Sequence, residues 1–565
     1  MTDILPGQLV YIFGVSILDA ALLSWLVLLW YRRSVQHLMR EGDAGTTAPH
    51  VEPSRRPVLP ATAAADAGGV SLAEERTAQP PRTPLVSPGM GRVVLAYSLG
   101  AAAFAAVITT LKFSPASPPL LPVAWIVDWW ANTWPIVPTL VALLVLDRRG
   151  SVRVATLYVA GGAIGIALFT TVGQIVRGTL NSAPLTNVFW AMVNLAWIAW
   201  VPLALVMLTG WRRVRAVMPL ALAATLLFGF GSLLFLGLFT RLFDVESARS
   251  LILGVASFSS PNTVRHLLFM LLSLPVGWIA WRLLIGLASA FGRKRFSDVQ
   301  LAIDCWWAVV AAQETATTLS TTYGLAGSAG GVGAFVAYRL AVLIVLRGAR
   351  PPATAARRLL MLRVFGHQAR TESLFDRVAQ LWRFHGPVQL IAGVDLAMRS
   401  VDPGDVLTLL DGRLAELFVR APEEIVERPE RLDLGPDPDG RFRINEVYCH
   451  AHTWKAMLEA LLDATDAVLM DLRSFSAGNS GCIFELEQLV RRLPSDHIVL
   501  VCDNTTDLPL LQQILSDAWT AARDDGHTRS AGRLSVVRVE RNSSAELRLL
   551  MQRLLRTPQR AALSA

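Results

Sequence analysis

Long apolar runs constrain this chain more than any other feature, because about 20 consecutive apolar residues cross a bilayer as a helix. Seven such runs lie before residue 292, at 8–31, 93–113, 132–146 (with a start as early as 120), 152–176, 185–210, 218–240 and 267–291. Tryptophan is enriched at membrane interfaces, and 14 of the 17 tryptophans precede residue 360. The sequence therefore predicts a polytopic α-helical membrane domain of about seven spans in a lipid bilayer, followed by a soluble part.

Basic residues between these runs predict the orientation of the membrane domain. The clusters in alternate loops are Arg32–Arg33, Arg148–Arg149, Arg212–Arg213 and Arg293–Arg295. Loops of this kind stay in the cytoplasm, so we expect the N-terminus outside and the C-terminal part in the cytoplasm. The chain has only three lysines and many arginines and alanines, which is typical of a GC-rich bacterial genome. We therefore expect a multi-pass protein of a bacterial inner membrane.

Changes in composition divide the chain into parts. They are 1–40 (first span and flank), 41–91, 92–296 (transmembrane region), 297–356 and 357–565 (soluble α/β domain). Residues 41–91 are rich in alanine, proline and threonine without periodicity, which predicts a flexible linker. The segment 297–356 contains two apolar stretches that carry Asp304 and Arg339. These charges favour cytoplasmic or membrane-associated helices, although two further spans remain an alternative.

Two charged residues fall inside predicted spans. Asp19 lies near the middle of the first run, and Arg282 lies at a similar depth in the last. Because buried membrane charges are costly and usually paired, we expect an ion pair between them. The alternative is a ligand or transport site.

Several classes of site and partner are not indicated. The four cysteines at 305, 449, 482 and 502 form no CxxC pair, so neither a metal site nor a disulfide framework is predicted. The net charge of +8 arises largely in loops beside apolar segments and does not indicate nucleic acid binding. No cofactor is expected.

After residue 357 the pattern changes to strands that alternate with helices. Five apolar strands are predicted, at 361–365, 388–393, 467–472, 497–503 and 534–539. Strands connected by helical crossovers form a parallel sheet covered on both faces. Ligands of such sheets bind at the carboxyl ends of the strands, where Gly366, Asp395 and Asp471 are expected.

The run from Asp466 to Val490, DAVLMDLRSFSAGNSGCIFELEQLV, holds the main candidate site. A strand ending at Asp471 is followed by Arg473 and Ser474, and Asn479 precedes a helix that contains Glu485. A carboxylate in the first turns of that helix, aimed at the strand ends, suits cleavage of an N-glycosidic bond. The alternatives are structural: Glu485 complements the helix dipole, and Asp471 caps a turn. Arg473 either holds a phosphate or pairs with Asp471 or Glu485.

The spacing of Cys482, Glu485 and Leu486 after the strand 467–472 resembles the Cys-x-x-Glu-Leu signature of TIR domains. This resemblance implies a flavodoxin-like sheet, Glu485 as the catalytic residue and NAD as a substrate. It also implies self-association through the C-terminal domain. Asp471, Arg473 and the Gly-x-x-Phe-Glu stretch from Gly481 are similar to the nucleoside 2-deoxyribosyltransferases, which also act on N-glycosidic bonds.

Three functions remain open. The first is a membrane-anchored sensor and effector whose cytoplasmic domain cleaves NAD or a related nucleotide, with Glu485 as the catalytic carboxylate. The second is a non-enzymatic signalling module that binds a nucleotide or a partner. The third is a transporter with a regulatory tail.

Overall fold

The computed structural model describes most of the chain in two compact units. The described residues are 6–44, 71–74, 88–114, 121–143, 217–244, 261–315, 319–324, 326–347, 356–363, 368–392, 401–524 and 533–559, with isolated positions in 153–164 and 246–254. The first unit comprises Met1–Tyr31, Arg92–Gly348 and Val401–Leu414. The second comprises Arg32–Gly91, Ala349–Ser400 and Ala415–Ala565.

The first unit is helical. Its helices are α1 (Pro6–Ala44, which continues into the second unit), α2 (Pro88–Phe113), α3 (Leu121–Thr133), α4 (Ile136–Leu143), α5 (Met218–Asp244), α6 (Pro261–Gly292), α7 (Asp298–Glu314), α8 (Ser320–Tyr323) and α9 (Ala326–Arg347). Four described segments are long and apolar enough to cross a membrane: Val15–Glu41, Gly89–Phe113, Leu274–Gly292 and Ala326–Arg347. This supports membrane association, whereas the expected number of about seven spans stays a prediction. Most of the run 152–176 and all of 185–210 lie outside the described residues.

The apolar run 132–146 is not one continuous helix. It is divided between the end of α3 and α4, with a turn at Trp134 and Pro135. Proline has no N–H to donate and disfavours a helical conformation in the residue before it, so it begins a helix more readily than it continues one.

Helix α9 carries a charge that is paired within the first unit. Arg339 forms an ion pair with Asp304 of α7, and the Tyr338 hydroxyl donates to the same carboxylate at 3.0 Å. Pairing reduces the cost of placing charges in an apolar environment. Asp304 and Arg339 had favoured the prediction of cytoplasmic helices in segment 297–356. Because they are paired, they are also compatible with a membrane span at α9, whose mean hydropathy is 2.0.

A second polar cluster joins α2, α3 and α7. Lys112 Nζ lies 2.9 Å from Glu314 and 3.6 Å from Asp128, which also accepts hydrogen bonds from Thr109 (2.8 Å) and Asn132 (2.7 Å). Each polar group is thus satisfied by a neighbouring helix, as buried polar groups require.

A segment expected in the soluble domain belongs to the first unit. Helix α11 (Pro403–Leu410) packs against α6. The Asp402–Asp405 capping box fixes its start, and Val406, Leu407 and Leu410 are buried. The sequence had predicted that these residues belong to the soluble α/β domain 357–565.

The second unit contains one sheet of eight parallel strands. They are β1 (Ser71–Glu74), β2 (Leu359–Arg363), β3 (Val388–Ala392), β4 (Phe418–Val419), β5 (Ile444–Cys449), β6 (Ala467–Asp471), β7 (Ile498–Cys502) and β8 (Arg533–Arg538). The prediction of a parallel sheet is confirmed, but the prediction of five strands was wrong. The missed strands are short at the edges (β1, β4) or rich in polar residues (β5). Strand β5 buries Glu446 because Tyr448 donates to it at 2.9 Å.

The strands lie in the order β1-β8-β7-β6-β2-β3-β5-β4. Without the short edge strands β1 and β4, this is the 3-2-1-4-5-6 order of doubly wound dinucleotide-binding sheets. It differs from the flavodoxin-like 2-1-3-4-5 order that the sequence interpretation implied. The order reverses between β2 and β6, so the topological switch point lies at their carboxyl ends.

Helices cover both faces of this sheet. Those of the second unit are α10 (Gln368–Trp382), α12 (Glu423–Arg431), α13 (Trp454–Asp463), α14 (Ser480–Arg492), α15 (Leu508–Asp524) and α16 (Ser544–Arg556). Apolar residues of α13, α14 and α15 pack on one face in a single cluster with β2, β6 and β7. Helices α10 and α16 contact each other and carry none of that cluster, which places them on the opposite face.

Strand β1 comes from the segment predicted to be a flexible linker. It pairs with β8 over four residue positions, with Leu72 opposite Leu534. About four backbone hydrogen bonds at roughly 1 kcal/mol each, with about 2 kcal/mol for burying Leu72, oppose roughly 6 kcal/mol for ordering four residues. The strand is therefore held with little net free energy.

Two glycine substitutions test the second unit. A Cβ at Gly386 would lie 1.8 Å from the Arg357 carbonyl oxygen, whereas a Cβ at Gly478 would approach only Ser476 Oγ, at 4.0 Å. We expect Gly386→Ala to destabilise the full-length protein by about 2 kcal/mol or more and Gly478→Ala by less than about 0.5 kcal/mol. Thermal unfolding in detergent measures both, and equal melting temperatures for the two variants would contradict the packing at Gly386.

Candidate functional site

The candidate site lies where β2 and β6 end. Arg363 and Asp471 are register partners at the ends of these strands. Residues 472–479 form the loop that connects the end of β6 to the start of α14. Gly366 and Asp395, which we predicted at the neighbouring strand ends, lie outside the described residues.

Asp471 and Arg473 form a closed ion pair. Arg473 Nε and Nη2 lie 2.9 and 2.7 Å from the two Asp471 carboxylate oxygens, and both side chains are buried. Arg473 Nη1 donates to Asn542 Oδ1 at 2.8 Å. Of the roles that the sequence left open for Arg473, pairing with Asp471 is the one that the structure contains.

Glu485 lies on the other face of the sheet from this pair. Met470 belongs to the apolar cluster that contains Cys482 of α14. Side chains alternate along a strand, so Asp471 points to the opposite face. The structure therefore does not bring the Asp471–Arg473 pair together with Glu485, although the sequence interpretation grouped all three.

The loop after β6 is fastened to the loop after β7. Ser474 has a φ of +65°, and its backbone N–H donates to Thr505 Oγ1 at 3.0 Å. Thr506 Oγ1 donates to the Leu472 carbonyl at 3.0 Å. Asp503 accepts from the Thr505 N–H at 2.9 Å. These bonds hold the loop that leads to α14 in one conformation.

Asn479 stands at the N-cap of α14 without capping it. Its side-chain oxygen accepts from the Ser476 N–H at 2.9 Å and from the Ser476 hydroxyl at 3.1 Å. No side-chain capping bond forms to the helix among the described residues. The N–H groups of the first turn, from Ser480 and Gly481, are therefore available to an anion, which helix N-termini favour.

Glu485 is a buried carboxyl group in the second turn of α14. Its side chain is 4% exposed, and Oε2 has no hydrogen-bond partner within the described part of the chain. Removal from water disfavours the charged form and raises the pKa of Glu485 to about 8. The group is therefore largely protonated at neutral pH.

The helical positions of neighbouring residues show which way Glu485 faces. Gly481 and Arg492, four residues before it and seven after, lie on the same side of α14. A Cβ at Gly481 would lie 3.9 Å from Trp454. Arg492 forms an ion pair with Glu459 at 2.6 Å. Since Trp454 and Glu459 both belong to α13, Glu485 lies on the α13 side of its helix.

The start of α13 contributes residues that the sequence interpretation missed. Trp454 and Phe484 pack edge to face, with ring centroids 5.5 Å apart. Lys455 Nζ lies 4.9 Å from the Phe484 ring centroid and 5.8 Å from that of Trp454. The available signal in the sequence was the adjacent pair Trp454 and Lys455. Trp454 thus lies beside Gly481 in the first turn of α14, and Lys455 lies beside the Trp454 and Phe484 rings.

The predicted membrane pair does not form in the described structure. Asp19 and Arg282 are both exposed on the first unit. The Arg282 guanidinium lies over the Trp278 ring, 6.0 Å from its centroid.

Comparisons with family models, with curated proteins and with solved structures return no match to this chain. The TIR-like and deoxyribosyltransferase-like resemblances thus stay predictions. Among the described residues, no group of three or more His, Cys, Asp or Glu side chains forms a metal site.

A stability measurement tests the structural role of Asp471. We expect Asp471→Asn to lower the free energy of unfolding by about 3 kcal/mol, because Arg473 then keeps a buried charge without its counter-charge. Glu427→Gln is the matched control, since it removes one carboxylate from an exposed ion pair with Arg431, and it should cost less than about 0.5 kcal/mol. Thermal or denaturant unfolding of the full-length protein measures both, and a small effect at Asp471 would argue for a substrate-binding role.

The pKa of Glu485 predicts how stability depends on pH. Below about pH 4.5 the group is protonated in the folded and unfolded states. Between this pH and about 8 only the unfolded state loses the proton, so this group lowers stability progressively as pH rises. The Glu485→Gln variant lacks this effect, and its melting temperature relative to wild type should increase from pH 5 to pH 8.

The control for this titration is Glu487→Gln, two residues further along the same helix at a half-buried position. Its melting temperature relative to wild type should change much less over the same pH range. A difference between Glu485→Gln and wild type that does not vary with pH would contradict the buried, protonated state of Glu485.

Proposed function

We propose that the chain is a membrane-anchored signalling protein of a bacterial inner membrane, whose cytoplasmic α/β domain binds a nucleotide at the start of α14. The observation that carries this proposal is a convergence of three features. They are the uncapped first turn of α14, the Lys455 ammonium group and the Trp454–Phe484 aromatic pair.

The first turn of α14 and Lys455 suit a phosphate group. Backbone N–H groups and the helix dipole favour an anion at this position. Glycine at 481 leaves room for a ligand to approach the backbone, since a Cβ there would meet nothing closer than 3.9 Å. Lys455 supplies a positive charge on an exposed side chain. An anion at this place would thus meet both dipolar and ionic attraction.

Trp454 and Phe484 suit the base of a nucleotide. Both rings are half-buried, so each keeps surface that another planar ring can contact. Stacking of a base on an aromatic side chain is worth about 1–3 kcal/mol. A ligand that combines a planar ring with phosphate fits these features better than an inorganic anion does.

The sheet order is consistent with this placement. In open parallel sheets, ligands bind outside the carboxyl ends of the strands at the topological switch point. Helix α14 begins directly after β6, which lies at that point. Because one sheet order serves many functions, function depends on the residues at the carboxyl ends of the strands. The arginine-rich loops predict a cytoplasmic C-terminal part, where the domain would meet cellular nucleotides.

Cleavage of an N-glycosidic bond in NAD or a related nucleotide is the second candidate. It is favoured by the Glu485 carboxyl, which is buried, has a raised pKa and holds an oxygen without a described partner. Perturbed acids of this kind are frequent in active sites. A substrate would reach Glu485 only if the start of α13 moved away from α14. Self-association through this domain, which the TIR resemblance implies, is one route to such a movement.

Calorimetric titration of the full-length protein in nanodiscs with NAD and with ADP tests the binding site. We expect Lys455→Gln to weaken binding about tenfold, or about 1.4 kcal/mol. Arg491→Gln removes one positive charge at the opposite end of α14 and should leave affinity unchanged. Loss of affinity in both variants alike, or no binding to wild type, would contradict the proposal.

Release of nicotinamide from NAD separates the two candidates. Under the enzyme hypothesis, wild type releases nicotinamide, and Glu485→Gln binds NAD but lowers the rate by about 100-fold or more. If wild type binds NAD but releases no nicotinamide, the domain binds the nucleotide without cleaving it. Equal release by both proteins would remove Glu485 from the reaction.

A further inference from the structure

Strand β1 is attached to the sheet along a single edge. Its four residues, Ser71–Glu74, pair in parallel with the first four residues of β8. Within the strand order it has β8 on one side and no strand on the other. Leu72 packs against the main apolar cluster. The strand therefore adds few interactions beyond one backbone ladder.

The chain on either side of β1 is long enough to place it elsewhere. Residues 45–70 connect it to α1, and residues 75–87 connect it to α2. Segments of this length reach roughly 85 Å and 45 Å at full extension. Covalent linkage thus does not require β1 to pair with the β8 strand of its own chain.

The β8 edge needs a strand to cover it. Without β1, the backbone N–H and C=O groups on the outer side of β8 have no ladder partner, and such edges recruit extended segments from other chains. The residue opposite Leu534 must also be apolar to cover the cluster, as Leu72 does. A second copy of this chain carries both the matching strand and the matching edge.

We propose that the β8 edge is a strand-exchange site, at which Ser71–Glu74 of a second copy anchored in the same membrane pairs with β8. Exchange of an identical element is a low-cost route to a symmetric dimer, because every contact of the closed chain forms again between two chains. The second copy is favoured over other extended segments because it supplies Leu72 in the observed register. Confinement of all copies to one membrane raises their effective concentration. The proposal does not depend on nucleotide binding.

Cysteine cross-linking between differently tagged full-length chains tests the exchange. One chain carries Ala73→Cys and the other carries Ser535→Cys, because these positions are register partners. Neither chain can form this disulfide internally, and the four native cysteines are buried. We expect oxidation of co-expressed chains in membranes to yield a covalent dimer with both tags, at least tenfold above the wild-type background.

Two controls make this result specific. Ala73→Cys with Arg538→Cys places the second thiol at the exposed far end of β8, three residues out of register, so random collision would link this pair as well. Leu72→Cys with Leu534→Cys repeats the test at the neighbouring register pair, in case Ser535→Cys impairs folding. We expect two-tag dimers for both register pairs and none for the Arg538 pair.

One chain that carries both Ala73→Cys and Ser535→Cys shows where β1 pairs when exchange is absent. A disulfide within this single chain, without any two-tag dimer from the separate chains, would overturn the proposal. Absence of both products at both register pairs would also overturn it, since β1 would then not occupy the β8 edge.

Discussion

The pairing of β6 beside β2 is the constraint on which the second unit depends. The register that sets Asp471 next to Arg363 brings together strands separated by more than 100 residues. It reverses the strand order and thereby sends α10 and α14 to opposite faces of the sheet. Right-handed crossovers between parallel strands make this division obligatory once the order is fixed. Three features of the candidate site follow from that arrangement. They are the uncapped first turn of α14, the hydrogen-bonded loop after β6 and the position of Glu485.

Glu485 occupies a position that lowers the stability of the fold. Its carboxyl group is removed from water, and its Oε2 atom has no hydrogen-bond partner within the described residues. The loss of stability is limited because the group remains protonated. Asp471 is equally buried but is stabilised as an ion by Arg473. The two carboxylates of the candidate site thus lie in opposite environments, one neutral and one ionic. Most buried polar groups in proteins form hydrogen bonds. The unsatisfied carboxyl oxygen of Glu485, in a helix beside the topological switch point, is therefore consistent with a functional role that offsets the loss of stability.

The sequence predicted those elements of the fold that are encoded by a short run of apolar residues. Strands β2, β3, β6, β7 and β8 lie within two residues of the predicted segments, because each is a short apolar run between helices. Strand β5 was not among the five predicted strands, because its polar Asn445 and Glu446 are typical of a surface segment. They are buried through hydrogen bonds with Asp433 and Tyr448. Strand β1, and the assignment of helix α11 to the first unit, depend on contacts with distant parts of the chain, which no local pattern encodes. The alternation of Met470 and Asp471 along β6 implies that Asp471 and Glu485 face different sides of the sheet, so the predicted grouping of Asp471 and Arg473 with Glu485 in one site does not hold.

Hydrogen–deuterium exchange of the full-length protein in nanodiscs, with and without saturating NAD, tests whether a nucleotide binds where α14 begins. We expect slower exchange of the backbone amides of residues 476–483, because the first N–H groups of the helix would then donate to phosphate. We also expect protection at the start of α13, where Trp454 and Lys455 would contact the ligand. Unchanged exchange in both segments at a saturating NAD concentration would rule out a nucleotide at the start of α14.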